Sequence, residues 1–503
     1  MPIPLFNSIA SWILKKRIHQ IELFIKYPNE VQQELLMDLI NSAMNTEIGL
    51  RHEFSTIKNY NNFKSRVPIV DYEEIEDTIN RSRKGVNNLL WPTPIKWFAK
   101  SSGTTNTKSK FIPVSLESLE DCHYKGGKDM LSLYFNNNSE SSLLSGKSLR
   151  LGGSQEMYQN GNTYFGDLSA IIIENLPLWA QMRSTPSLKT SLIPQWENKI
   201  NAIIDESLNE KVTSLAGVPS WMLVFLNKIL QETKTKTIFD IWPEIEVYFH
   251  GGISFSPYQN QFKDIFPKKN FKYYEIYNAS EGFFAIQDLN DSNELLLMLD
   301  YGVFYEFIPI NSDLEDLQAI IPLSEVKINV RYVIVVTTNG GLWRYKIGDV
   351  IMFTNINPYR IILAGRTKSY INAFGEELMI DNAEKAIAKA ALKANVKVID
   401  YTVAPIYMNK NKKGTHEWYI EFDCPPVDIK FFIKTLDSAL KDENSDYEAK
   451  RHKDITMVEP IIKVVSKNTF YRWLESKSKL GGQHKIKRLS NDRDFINELR
   501  DRL

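Results

Sequence analysis

With only two cysteines in 503 residues, Cys122 and Cys424, the chain has neither a disulfide framework nor a cysteine-rich metal centre. A reducing cytoplasm fits such a chain best. Net charge is missing as well. Sixty-one Lys+Arg balance 61 Asp+Glu, which removes the electrostatic case for a general nucleic-acid or membrane-surface binder. No apolar run is long enough to span a bilayer. Internal repeats and low-complexity tracts are absent, which excludes solenoid architectures. No His-x-x-x-His helix points to zinc, and Gly252-Ile253-Ser254-Phe255-Ser256 falls one residue short of a hydrolase elbow. A composition that is 43% apolar and 24% charged is that of a folded protein, at a length suited to two or three domains.

The N-terminal stretch Ile9 to Phe24 carries Trp12, Ile13, Leu14, Ile18, Ile21, Leu23 and Phe24 around Lys15, Lys16 and Arg17. Such a pattern suits a membrane-surface helix, but more often a helix packing its apolar side on the body of a protein. The basic residues follow apolar ones, which is not the order of an export signal.

Along the chain, Val31 to Ile48 has helical spacing with Gly49 as a stop. Near Ile95 the pattern changes. Ile95 to Ala99 and Phe111 to Val114 read as strands joined by a polar segment, with Ser115 capping a following helix. Beyond Ser148 strands and helices alternate, which favours an α/β architecture. Candidate strands are Leu168 to Ile173, Val212 to Leu215, Glu246 to Phe249 and Phe271 to Tyr277; Ser220 to Leu230 reads as a buried helix. The stretch 294–338 is β-rich, in the manner of a meander or distorted barrel. After a strand at Tyr359 to Leu363, helices (Asp381 to Ala394, Ile429 to Leu440) and strands (Val396 to Pro405, His416 to Phe422, Lys463 to Val465) form a separate C-terminal domain. The expected division is a large domain over 1–366 and a small one over 367–503.

Three segments carry chemistry. In Ser101-Ser102-Gly103-Thr104-Thr105 the hydroxyls and backbone N–H groups suit phosphate oxygens, and Gly103 permits close approach. Read alone, such a segment is more often a solvated polar turn. It is not a Walker loop, which needs a different spacing. In Tyr277-Asn278-Ala279-Ser280-Glu281 the ring suits a purine face and the carboxylate suits Mg²⁺, although a strand end with an exposed acid reads the same way. In Arg344-Tyr345-Lys346-Ile347-Gly348-Asp349 a strand returns from the Gly340-Gly341 turn, and Asp349 closes it with a carboxylate suited to two ribose hydroxyls, or simply with a turn. Cys122 beside His123 looks like a nucleophile pair, but adjacent helical residues do not face each other, so Cys122 is expected to pack as a small apolar group.

Together, in this order, the three segments resemble the signature motifs of the acyl-adenylate-forming superfamily. The version here is most similar to the auxin-responsive promoter (Gretchen Hagen) family of acyl acid–amido synthetases. Ala216-Gly217-Val218-Pro219-Ser220-Trp221-Met222 and Gly481-Gly482-Gln483-His484-Lys485-Ile486-Lys487-Arg488 also resemble family segments. The resemblance implies a large N-terminal α/β domain with a distorted β-barrel and a smaller mobile α+β lid. It implies ATP and Mg²⁺, a small carboxylic acid and an amino acid as partners, and no nucleic acid or membrane, in a monomer or homodimer. An acyl-AMP would form first, and an amine would then attack its acyl carbon. Carried over residue by residue, Ser101 to Thr105 would cradle phosphates and Glu281 would hold the metal. Tyr277 with the Gly251-Gly252 turn would flank adenine beside Ser280. Asp349 would hold ribose, and Arg366 would reach ribose or phosphate. Thr104 and Lys485 would stabilise the transferring phosphate, Lys368 would be the hinge, and Val218 and Trp221 would line the acyl pocket. Two alternatives stay open: an acyl-CoA or carrier-protein ligase of the same superfamily, and a silent small-acid-binding protein.

Overall fold

The computed structural model describes residues 16–101, 110–152, 157–193, 196–252, 255, 258–268, 270–310, 319–366, 370–371, 373, 376, 378–407, 413–451, 454, 457–477, 486–490 and 492–500. The chain divides into two compact units. One comprises Met1–Gly252, Phe266–Ile362 and Gly481–Gln483. The other comprises Ile253–Ile265, Leu363–Leu480 and His484–Leu503.

The first unit is built on two sheets. The smaller is formed by β1 (Trp97–Ser101), β2 (Lys110–Val114), β4 (Tyr158–Asn160) and β5 (Thr163–Gly166), in the order β2-β1-β5-β4. Strands β1 and β2 are the expected hairpin, Ser101 lying opposite Lys110, and β5 lies parallel to β1. The larger sheet has twelve strands among the described residues. Its parallel part contains β3 (Lys147–Leu151), β6 (Ser184–Thr185), β7 (Val212–Gly217), β8 (Val247–Gly251) and β9 (Lys272–Ala279). Its antiparallel part runs on through β10 (Gly282–Ile286), β11 (Leu295–Leu297), β12 (Val303–Pro309), β13 (Ile321–Pro322), β14 (Arg331–Thr338), β15 (Tyr345–Ile356) and β16 (Tyr359–Arg366). These strands read as unbroken apolar runs because they are buried; Tyr332 to Val336, for instance, is exposed by 2% or less throughout.

Several expectations shift. The helix expected over Val31 to Ile48 is two pieces, Pro28–Ala43 and Glu47–Arg51. Gly49 does not stop it. Gly49 sits inside the second piece, pressed so close to the Ala43 carbonyl that a side chain has no room. Leu168–Glu174 is a helix, not a strand. Its run of isoleucines favours strand locally, but Leu168, Ala170 and Ile171 bury a helical face, and packing overrides propensity. The N-terminal stretch, described from Lys16 onward, buries Ile21 and Phe24. Arg17 is not a free basic group; it forks onto Asp129 (2.7 Å) and Asp300 (2.8 Å). Among the described residues no helix is long and apolar enough to cross a membrane.

The second unit packs helices Ile380–Lys393 and Ile429–Glu443 on a three-stranded sheet of β19 (Val398–Ile406), β20 (Thr415–Phe422) and β21 (Ile461–Val465). Two short strands, β17 (Tyr370–Ile371) and β18 (Leu378–Met379), pair beside them. Ile387, Tyr401, Trp418, Phe432 and Leu436 belong to its core. Arg488 is fixed on β19 by Asp400 (2.7 Å) and by the Tyr258 hydroxyl (2.7 Å).

Candidate nucleotide site

The parallel strands of the first unit end on one side, and ligands of α/β sheets bind outside such carboxyl ends. Gly251 closes β8 there. A Cβ on it would run into the Ile276 carbonyl, so only glycine lets β8 pass this close to β9. Two residues of turn, Ser280 and Glu281, join β9 to β10, with Ala279 opposite Gly282. Tyr277 is 4% exposed at the end of β9, and Ser280 is buried.

The third segment does not close as a turn. Asp349 lies inside β15, in a bulge. Val335 pairs with Lys346 and Val333 with Val350, so Ile347, Gly348 and Asp349 oppose a single residue of β14. Gly348 takes the left-handed φ of +86° that this bend needs. Bulges re-aim side chains. Here the Tyr277 hydroxyl donates to Asp349 Oδ2 at 2.7 Å, which joins the second and third segments in one place. Glu281 lies close enough for its charge to help push the Tyr345 hydroxyl far above the tyrosine range, burial being the larger cause.

Residues 70–71 and Tyr72 tie the hairpin to this place. Val70 bonds the backbone of Arg344 and Lys346 at 3.1 and 2.9 Å, while the Tyr72 hydroxyl accepts from Phe111 N at 2.9 Å. Ser115, after capping Ser118 N, donates to Asn339 O at 2.7 Å. Thus β1 and β2, which flank the first segment, are anchored to the turn before β15. Residues 102–109 themselves, and with them Ser102, Gly103, Thr104 and Thr105, lie outside the described residues, as do Lys368 and Lys485; so do the side chains of Ser101 and Arg366, at the ends of β1 and β16. Val218 follows β7 and stands immediately before the helix Pro219–Thr233, in which Trp221 is buried.

Arg344, buried completely, supports the site from behind. Its Nε and Nη2 fork onto Glu306 at 2.8 Å each, and Nη1 donates to Lys64 O (3.0 Å) and Val67 O (2.6 Å). Cys122 behaves as expected. It is buried, its Sγ accepts from Phe283 N at 3.1 Å, and burial pushes its thiol up to about 12. Burial also pushes the neighbouring His123 down to about 4. Iodoacetamide at pH 8 is therefore expected to alkylate exposed Cys424 and spare Cys122, giving one adduct per folded chain by mass spectrometry.

Four titratable residues escaped the sequence reading because no motif marks them. Glu275 pairs in register with His250 on neighbouring strands, on the same face of β9 as Tyr277. Burial pushes Glu275 up to about 7 and His250 down to about 3. Asp167 and Lys199 are both almost fully buried near the ends of β5 and β3. Only the folded chain shows these groups to be dehydrated; their sequence neighbourhoods are ordinary.

Comparison with known proteins agrees with this geometry. Residues 17–271 match the GH3 family N-terminal domain, 296–366 the GH3 family central domain and 381–494 the GH3 family C-terminal domain. Curated relatives include indole-3-acetic acid-amido synthetase GH3.4 of Arabidopsis thaliana, 23% identical over 68% of this chain and 67% of that one. Jasmonoyl–L-amino acid synthetase JAR4 of Nicotiana attenuata is 22% identical over 91% and 90%. Among solved structures, GH3.15 acyl acid amido synthetase superposes with a TM-score of 0.81 at 18% identity, covering 97% of this chain and 96% of that one. A 2-hydroxyisobutyryl-CoA ligase, in complex with an acyl-AMP, follows at 0.60 and 11%, over 94% and 91%. These likenesses show that the chain shares the fold of these two enzymes. On the family-model match over most of its length, the chain belongs to the GH3 family.

Proposed function

We propose that the protein is an ATP-dependent acyl acid–amido synthetase. It converts a small carboxylic acid to acyl-AMP and pyrophosphate, then transfers the acyl group to the amine of an amino acid. The observation that carries this reading is the Tyr277–Asp349 hydrogen bond, which brings a ring and a carboxylate suited to a diol into contact; Glu281, whose charge acts on Tyr345 four residues before Asp349, supports it as a carboxylate suited to a metal.

The residues fit Mg²⁺. It is a hard cation that prefers oxygen and is often held by one or two carboxylates plus substrate phosphates. Among the described residues no cluster of three or more His, Cys, Asp or Glu forms a dedicated cage. Glu281 would hold the ion, which when bound offsets phosphate charge. Tyr277 and the Gly251-Gly252 turn would flank the base, Asp349 would take the ribose hydroxyls, and the segment Ser101 to Thr105 would supply hydroxyls and N–H groups to the phosphates. The roles of Arg366 and Lys485 at phosphate and of Lys368 as hinge, the division after residue 366, and Val218 with Trp221 as acyl contacts belong to this proposal through the family resemblance. So do a cytoplasmic setting and a monomeric or homodimeric state.

The test is ATP–pyrophosphate exchange over a panel of carboxylic acids, followed by mass spectrometry with the twenty standard amino acids or CoA. Acid-dependent exchange with amide product is expected. Thioester without amide would assign a CoA ligase, and no exchange despite acid binding would assign a silent binder.

A further inference from the structure

Gly217, His250 and Glu275 form one row across β7, β8 and β9: Gly217 lies opposite His250, and His250 opposite Glu275. The row marks a single depth below the carboxyl ends of these strands. Val218, the proposed acyl contact, comes immediately after Gly217, whose carbonyl accepts from the Tyr248 hydroxyl at 2.9 Å. Glu275 is held in the row from both sides. On one side it pairs with β8. On the other, Gln287 N donates to Glu275 O and Gln287 Oε1 accepts from Glu275 N, at 2.9 Å each. Tyr277 stands on the same face two residues nearer the carboxyl end, about 7 Å along the strand at ~3.3 Å per residue. A side chain in mid-sheet, with a strand on either side, reaches solvent only through open space over its face. Glu275 is partly exposed, so such a space lies over it, whereas His250 beside it is 3% exposed. The space is a narrow one. Burial pushes Glu275 up to about 7, and among the described residues no hydrogen bond and no neighbouring charge adds to the shift. Glu275 is thus a carboxylate in a recess that water can enter, with no bond to its oxygens from any described residue. A crowded polar group in that state calls for a partner from outside the chain.

We infer that Glu275 reads the far end of the acyl acid, so that the acid this chain activates carries a hydroxyl or amino group remote from its carboxylate; this rests on the amido-synthetase reading above. In that reading the carboxylate of the acid meets the nucleotide at the strand ends, near Tyr277, and its body passes Val218 toward the row of Gly217, His250 and Glu275. The depth from Tyr277 to Glu275 is that of one ring or of a chain of a few carbons. A hydroxyl or amine arriving there donates to the carboxylate of Glu275. A hydrocarbon end would displace water from Glu275 and offer nothing in return, which is how a site built to bond a hydroxyl rejects the analogue that lacks it. His250 does not take the place of the ligand. Burial pushes it down to about 3, so at neutral pH it carries no charge to pair with Glu275.

The experiment measures pyrophosphate exchange in full-length protein with acids matched in pairs that differ only at the far end. Suitable pairs are para-hydroxyphenylacetate and phenylacetate, and ω-hydroxyhexanoate or ω-aminohexanoate and hexanoate; para-methoxyphenylacetate, which accepts but does not donate, is the control. The best acid for wild-type protein is expected to carry the donor and to exceed its hydrocarbon counterpart in kcat/KM at least about tenfold, as a hydrogen bond to a charged group gives. Glu275→Met is expected to lower that ratio at least about tenfold while exchange with the hydrocarbon acid and the ATP concentration for half-maximal exchange stay as they were. A packing defect would instead depress both acids together. Should the methionine variant lose exchange with every acid, Glu275→Gln, of the same shape, decides: its ratio is expected to fall at least about threefold. If wild-type protein exchanges equally well with the hydrocarbon or methoxy acid, or if neither variant changes the ratio, Glu275 does not read the acid, although adenylation stands. If no carboxylic acid supports exchange, the underlying reading has failed and this one falls with it.

Discussion

Asp349→Ala is expected to raise the ATP concentration for half-maximal exchange by about 10²- to 10⁴-fold in a protein that still folds. The estimate follows from hydrogen bonds to a charged group, each contributing about 1.5–3 kcal/mol, with two ribose hydroxyls donating to one carboxylate. The bulge that carries Asp349 is held by backbone pairing of Lys346 and Val350 with β14, which the substitution does not touch. Tyr277→Phe provides the graded companion. It keeps a ring for the purine and removes only the hydroxyl that donates to Asp349 at 2.7 Å, so roughly a tenfold loss is expected. Titration of ATP by exchange kinetics and by direct binding checks both. Wild-type ATP affinity in the Asp349 variant would remove this carboxylate from the nucleotide site.

The second large effect concerns stability. Glu306→Ala is expected to destabilise the first unit by about 3–5 kcal/mol, because it leaves a buried guanidinium without its counter-charge. Glu306 is 1% exposed and also accepts from the Tyr60 hydroxyl at 2.9 Å. Denaturant unfolding followed by tryptophan fluorescence measures the loss, and the midpoint should fall clearly. Replacing Arg344 and Glu306 together by methionine is expected to cost less than the sum of the single changes, since neither charge is then stranded. Exchange activity should nevertheless drop in the double variant, because Arg344 immediately precedes Tyr345 and secures it to Lys64 O and Val67 O. Additive losses would mean that the pair is not coupled.

Much of the fold was legible where one rule governs locally. Val212–Gly217, Val247–Gly251 and Lys272–Ala279 are strand-length stretches carrying β-branched or aromatic residues, and each stands within two residues of its expected limits. The helices Pro219–Thr233 and Ile380–Lys393 were equally plain from their periodicity. Errors arose where distant packing decides. Leu168–Glu174 is helical because of what it buries, and Glu47–Arg51 restarts a helix whose Gly49 answers to a neighbouring carbonyl. The site divides in the same way. Tyr277, Glu281 and Asp349 stood out as candidates because their segments resemble motifs, whereas the bulge behind Asp349 depends on a register that only the paired strand reveals. Asp167 and Lys199 had no signal at all, since dehydration of a charge is a property of the assembled protein.

The register of β15 has one further consequence. Strand residues alternate between two sides, so a single inserted residue would turn everything beyond it inside out. Against one residue of β14, β15 spends three, a surplus of two. An even surplus preserves the alternation on both sides of the interruption. A Gly-Asp dipeptide can therefore be gained or lost within an ordinary hairpin without recasting the sheet, so that the carboxylate of Asp349 sits on a cassette separable from the scaffold that displays it.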